Sequence, residues 1–502
     1  MWNSFDKYKI QLIGNADPDD FKGGKSSKEL KEKTNSILSK YLGVSVSKAK
    51  SEAIAFLLKN AEISIHKEDI FVSQINHTGV MWDFWSERTR KYTDLEISQK
   101  VRELEERDTI RAGMDFGHIA PDWQYLLHKG ISGIIKDLEF TCGKNRENEA
   151  YYNERITVYN AIKDLFLRFS ELSDTQNTEK SKFISENLKS LSENPPQTLA
   201  EAMQLIILIY ILQTKIDTVI VRSLGGLDRM LYSFYKNDLE SGRYTKEQLG
   251  EITKYFFWKI SCMKVTANLP FYICGMDENG NDATNEFTFF LLEKYRELDI
   301  YYPKIHVMYH ENIDKGILRL VLEMIREGKN SFVFMNTKLA SKALEKIGVS
   351  PEDAKKVIPY GCYEPAAEGT EIPCTCGGIK QLGSVAAEEL KKQGKIPAFA
   401  TGEISAKSIA EAAKAGDETA LEIYRKSGEY LGKTLAILID LFNPDKIVIG
   451  SIFARSRELL WGEAERVIKE EALEFTYACC EVLPAELGEN IGDYAAIATA
   501  LI

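Results

Sequence analysis

The segment Gly361-Cys362-Tyr363-Glu364-Pro365 sets a thiol two residues ahead of a carboxylate. In an extended chain, side chains two apart point the same way, so Cys362 and Glu364 can share one substrate. A thiol can exchange a hydrogen atom there while the carboxylate takes a proton. Gly361 permits an unusual backbone angle just before the sulfur, and Pro365 stiffens the exit. The competing reading is a buried structural cysteine, since Cys is among the most often buried residue types. The remaining cysteines (Cys142, Cys262, Cys274, Cys374, Cys376, Cys479 and Cys480) are too sparse for a disulfide scaffold. Cys479 and Cys480 read as buried core thiols.

Positioning such a pair takes a large folded chain, and the composition supplies one. The 502 residues are 44% hydrophobic and 28% charged, which excludes a disordered or fibrous protein. At roughly 100–200 residues per domain, two to four domains are expected. Lys plus Arg is 64 against 75 Asp plus Glu, a net charge of −11. No basic excess is left to neutralise a phosphate backbone, so nucleic acid is excluded as the main partner. The longest uninterrupted apolar run, 205–212, falls far short of the ~20 residues a membrane helix needs. The N-terminus has no basic segment followed by an apolar run, so no signal peptide is expected. The expected setting is the reducing cytoplasm.

The elements follow from periodicity. Residues 22–35 are a polar run rich in Lys, Gly and Ser and read as an exposed connection. From 45 to 60 the apolar residues Val46, Ala49, Ala53, Phe56 and Leu57 recur at helical spacing. Residues 93–110 read as a charged helix, and 157–172 as a helix with Val158, Ile162, Leu165, Phe166 and Phe169 on one face. Asn194-Pro195-Pro196 breaks the chain, and Thr198 with Glu201 forms a capping box for a helix apolar on all sides, hence buried. Thr245 and Gln248 repeat that start. Strand-like runs at 269–274 and 305–309 alternate with helices at 285–297 and 316–327, which predicts an α/β architecture with parallel strands. Beyond 384 come long helical patterns rich in Ala, Glu and Lys, then a buried strand, 445–450, ending in Gly450.

Gly117-His118-Ile119-Ala120-Pro121-Asp122, Asn194 to Gln204, Ser223-Leu224-Gly225-Gly226-Leu227-Asp228-Arg229, Gly275 to Glu286, and Gly348 through the Cys362 loop follow one another in the chain. In that order these segments resemble the glycyl radical enzymes, the family of pyruvate formate-lyase. The resemblance implies a helix-wrapped barrel of two half-barrels, with the cysteine on a central finger loop. It implies a glycine on a separate C-terminal loop that stores a radical, made by a separate iron-sulfur activating enzyme using S-adenosylmethionine. Carried onto this sequence, Cys362 is the thiyl position that takes hydrogen from substrate, and Glu364 is the general base. His118 and Ser223 match positions that face a small-molecule substrate. A loop or capping role for His118, and helix capping and ion pairing for Ser223, Asp228 and Arg229, stay open beside this. Pyruvate formate-lyase uses two adjacent cysteines, whereas Tyr363 follows Cys362 here. The resemblance therefore points to a dehydratase or a lyase cleaving C–N, C–S or C–C bonds.

The family's glycyl loop is an Arg, two variable residues and Gly-Tyr. Its nearest counterpart, Gly488 to Tyr494, has Asp493 between Gly492 and Tyr494 and no Arg. The resemblance also stops just after Pro365. One half-barrel is thus expected over 1–368, with a glycyl loop supplied in trans by another chain. Its open strand edges should be covered by the C-terminal part or by self-association into a homo-oligomer.

The last third of the chain carries Cys374-Thr375-Cys376-Gly377-Gly378, Phe442-Asn443-Pro444-Asp445 running to Gly450, and Ile491-Gly492-Asp493-Tyr494. With these segments, residues 369–502 resemble the C-terminal part of the ROK family of repressors and sugar kinases, an actin-like ATPase fold. Gly450 and Gly492 could bring backbone close to a nucleotide, or could serve tight packing alone. The third zinc cysteine of that family is Gln381 here, and no His follows His310. A structural zinc needs four ligands, so no metal is assigned. The expected fold is α/β, a helix-rich glycyl-radical-enzyme-type half-barrel followed by a partial ROK-type α/β domain. The expected function is a radical lyase or dehydratase acting on a small polar metabolite. The alternatives are a non-catalytic metabolite- or partner-binding fusion and a ROK-type kinase-like or sugar-sensing protein.

Overall fold

Thr198 starts the most apolar of the described helices, Leu199–Ile211, in which every residue is buried. The computed structural model describes residues 22–42, 45–77, 79–81, 83, 118–218, 220–263, 269–277, 279–346, 348–361, 364–367, 397–400, 404–442, 444–449 and 451–484. Thr198 Oγ1 accepts the Glu201 N–H at 3.1 Å, as its position predicts. The Glu201 carboxylate accepts from Gln197 N–H at 2.6 Å instead of from Thr198, so the return bond of the expected capping box falls one residue early. The helix passes into a π-turn, Leu212–Ile216. Together, 199–216 are long and apolar enough to cross a membrane by length and composition, but 83% of that stretch is buried inside the protein.

The described residues divide into two compact units: 22–83, 118–334 and 356–367 in the first, and 335–355 with 397–484 in the second. In the first unit, helices Trp123–Lys144, Glu179–Glu193 and Lys246–Met263 pack against the core helix. Glu149–Asp174 joins them through Ile162, Leu165, Phe166 and Phe169. The polar run 22–35 corrects the sequence reading. It forms the start of a helix, Ser27–Leu42, because Leu30, Thr34 and Leu38 recur every four residues and turn inward, while the lysines stay outside. The expected helix 93–110 lies outside the described residues.

A three-stranded sheet runs in the order Pro270–Cys274, Lys304–Tyr309, Phe332–Asn336. The first two strands are parallel, from Pro270 opposite Lys304 to Cys274 opposite Met308. Parallel neighbours need a crossover, and helix Glu286–Glu297 provides it. Asn285 caps that helix reciprocally with Thr288. Two smaller pairings complete the unit. His118–Ile119 runs parallel to Ile220–Val221, and Val357–Tyr360 forms an antiparallel hairpin with Glu364–Ala367.

In the second unit, helix Glu418–Phe442 lies along helix Ser451–Glu471 at very short range. A Cβ on Gly432 would sit 2.6 Å from the Ala464 carbonyl oxygen, so only glycine permits that approach. Strands Lys446–Ile449 and Glu481–Pro484 pair in parallel. The strand expected to be buried is present, but Val448 is 61% exposed, since among the described residues the pair has no further strand beside it. Cys479 is exposed and Cys480 half-buried. The expectation of two core thiols fails because they sit in the turn before the edge strand.

Candidate active site

The backbone of Arg222 joins the pieces that the sequence singled out. Its N–H donates to the Ile119 carbonyl at 2.8 Å, extending the pairing of the His118 strand with Ile220–Val221. Its carbonyl accepts the N–H of Gly361 at 2.9 Å. Gly361 closes the hairpin with φ at 63°, a left-handed value that favours glycine. One residue's main chain therefore holds the His118 strand, the Ser223 loop and the hairpin together.

Glu364 opens the second hairpin strand, opposite Tyr360. Cys362 belongs to the short connection between Gly361 and Glu364 but lies outside the described residues. So do Gly450 and Gly492. His118 is placed by its backbone in the strand beside Ile220. Ser223 is fully buried, and its Oγ accepts the Gly225 N–H at 3.0 Å, a local turn bond that leaves its own proton free to donate.

Three residues that the sequence reading passed over position this region. Trp123 is buried and donates from Nε1 to the Ser223 carbonyl at 2.9 Å. A buried indole N–H normally finds a partner, so a Trp next to the quoted Pro121-Asp122 was the available signal. His306 is fully buried in the central strand, with Nδ1 3.3 Å from the Pro359 carbonyl oxygen. That contact ties the sheet to the strand entering the hairpin. A lone histidine inside an apolar strand must be hydrogen-bonded somewhere, but sequence does not say where. Arg222 carried no sequence signal, since its contribution is made by its backbone.

Asp228 anchors the other side of the Ser223 loop. It is fully buried, and its Oδ2 accepts from Cys274 N–H at 2.8 Å and from the Thr288 hydroxyl at 2.9 Å. Its carbonyl accepts from Asn285 Nδ2 at 3.1 Å. Burial raises the Asp228 pKa, while the Arg229 charge and these hydrogen bonds oppose the rise. Arg229 itself donates to the Met276 carbonyl at 3.3 Å and lies over the Tyr272 ring. Burial, reinforced by Asp228, also pushes the Cys274 thiol well up. Cys274 is therefore an inert thiol that keeps the strand end in place. Among the described residues no group of three or more His, Cys, Asp or Glu is arranged to hold a metal ion.

The chain matches the family model described as pyruvate formate lyase-like over residues 40–385, and that of the ROK family over 360–501. It is 26% identical over 285 residues to Probable dehydratase YbiW of Escherichia coli (strain K12), covering 50% of this chain and 35% of that protein. It is 24% identical over 298 residues to the 4-hydroxyphenylacetate decarboxylase glycyl radical subunit of Clostridioides difficile, covering 51% and 33%. The C-terminal part is 33% identical over 139 residues to the N-acetylglucosamine repressor of Escherichia coli O6:H1, covering 26% and 34%. The chain thus spans about a third of the length of the curated relatives it matches. A solved glycyl radical enzyme from Archaeoglobus fulgidus superposes with a TM-score of 0.61 at 18% identity, covering 99% of this chain and 72% of that one. A 1,2-propanediol-dehydrating protein from Roseburia inulinivorans gives 0.62 at 16% identity, covering 87% and 63%. The fold of the first unit is that of the glycyl radical enzymes.

Proposed function

This chain belongs to the pyruvate formate lyase-like family, and on that premise we propose that it is the thiol-bearing part of a glycyl-radical-type lyase or dehydratase acting on a small polar metabolite. Cys362, as a thiyl, takes a hydrogen atom from a substrate C–H and becomes a thiol. Glu364 takes a proton from a substrate hydroxyl, which drives loss of the neighbouring leaving group. The thiol then returns its hydrogen atom to the product radical. His118 and Ser223 line the substrate side. The observation that carries this reading is the Arg222 junction, which brings the Gly361–Glu364 hairpin, the Ser223 loop and the His118 strand to one place.

The 502 residues contain no Gly-Tyr pair. In this reading the stored radical therefore comes from outside them, on a glycyl loop charged by a separate activating enzyme. Tyr363 in place of a second cysteine supports elimination over acyl transfer. The test combines the full chain, a radical-activating enzyme with S-adenosylmethionine, a small glycyl-loop protein and a panel of small diols and hydroxy acids. Carbonyl product that disappears in Cys362→Ala and falls at least a hundredfold in Glu364→Gln is expected. Turnover that survives in Cys362→Ala would overturn the assignment.

A further inference from the structure

The turn that ends the core helix holds polar groups that the fold leaves unmatched. Leu212–Ile216 is a π-turn, a rare distortion that frequently marks functional sites. In it and just after it, Gln213 Oε1, Thr214 Oγ1 and Thr218 Oγ1 are buried without a hydrogen-bond partner among the described residues. Buried polar atoms are rarely left so. Thr218 is also strained. It is buried and β-branched, with φ at 63°, a region such residues avoid. Strain of this kind collects at binding and catalytic sites.

The same turn carries a positive charge. Lys215 is half-buried, and among the described residues no carboxylate lies within ion-pairing distance of it. Burial lowers its pKa with no anion to offset the effect. Burial likewise lowers the pKa of His77, and the nearby Lys215 charge adds to the fall. The adjacent carboxylate, Asp217, is engaged by Lys50 at 2.6 Å. An ammonium and two hydroxyls are donors, and an amide can turn its NH2 toward a ligand. Within six residues of sequence, they supply the donors that a negative oxygen needs.

We propose that residues 213–218, with Lys215 supplying the charge and Gln213, Thr214 and Thr218 the hydrogen bonds, bind the oxyanion group of a small molecule: a carboxylate, sulfonate or phosphate. The turn leads into strand Ile220–Val221, whose far end reaches Arg222. The site thus lies at the opposite end of that strand from the hairpin and does not depend on the chemistry assigned to Cys362.

The test is calorimetric titration of the full chain with sodium acetate, sodium sulfate and sodium phosphate, each at fixed ionic strength against sodium chloride. At least one of the three should bind saturably with one site per chain, and which one separates planar from tetrahedral oxyanions. Lys215→Gln should weaken that binding at least tenfold, and Thr218→Val about threefold or more, while Lys67→Gln leaves it unchanged. Sulfate and phosphate also stabilise proteins by exclusion from the surface, so the variant comparison carries the decision. Without anion, Lys215→Gln should unfold at the same or a higher temperature than the parent, because among the described residues no ion pair is lost. Binding no better than chloride, Lys215→Gln binding as the parent does, or a clearly lower unfolding temperature for Lys215→Gln without anion would each overturn the proposal.

Discussion

Asp238 gives the fold a pH dependence whose sign and size follow from its position. It lies on helix Tyr232–Glu240, is 2% exposed, and its Oδ2 accepts the Leu199 N–H at 2.8 Å. Burial raises its pKa from 3.8 to about 6, against the hydrogen bond from Leu199 and the charge of Arg243. The folded state therefore holds the proton more tightly than the unfolded chain does. The resulting stability is fully present below pH 3.8 and is lost as pH rises through about 6. At ~1.4 kcal/mol per unit, the whole loss is about 3 kcal/mol, of which roughly 1.4 kcal/mol falls between pH 5 and pH 8. Asp238→Asn keeps an oxygen for the Leu199 N–H but carries no titrating proton. Urea denaturation of both proteins across that range should show the variant gaining about 1.4 kcal/mol on the parent as pH rises. Parallel curves, or a variant that loses ground with rising pH, would refute the reasoning.

Gly432→Ala drives a methyl group into the Ala464 carbonyl. It should destabilise the second unit by ~1–3 kcal/mol, read as early loss of amide protection in Glu418–Phe442 by hydrogen exchange. Trp123→Phe removes the donor to the Ser223 carbonyl inside the core. It should cost ~1–3 kcal/mol in denaturant titrations, with the first unit responding and the second unchanged. Gly361→Ala forces a side chain into a left-handed residue. It should cost ~1–2 kcal/mol and loosen the hairpin, seen as faster exchange of the Gly361-position amide now bonded to Arg222.

Much of this was legible from local pattern. Thr198 before an all-apolar run located the core helix, and the runs at 269–274 and 305–309 gave the parallel strands almost to the residue. The helix at Ser27–Leu42 was missed because its lysines dominate the composition, while three inward residues fix its face. The exposure of Val448 was missed because an apolar strand looks the same with or without neighbours. For the site, the motif located the hairpin, but the junction at Arg222 and the contacts of Trp123 and His306 are made between segments 53 to 100 residues apart or by main chain alone. Pairing over such distances leaves no periodicity to read. Nor could composition show that 335–355 clusters with the C-terminal residues, since interleaved segments produce no break along the chain.

The measurement closest to the central claim is anaerobic electron paramagnetic resonance on the full chain with the activating enzyme and S-adenosylmethionine, with and without a glycyl-loop protein. The account predicts a glycyl doublet only when that protein is present. The doublet should fall when substrate is added to the parent and stay unchanged when substrate is added to Cys362→Ala. A signal that responds to substrate equally in the Cys362→Ala variant, or no coupling of the radical to this chain at all, would contradict it.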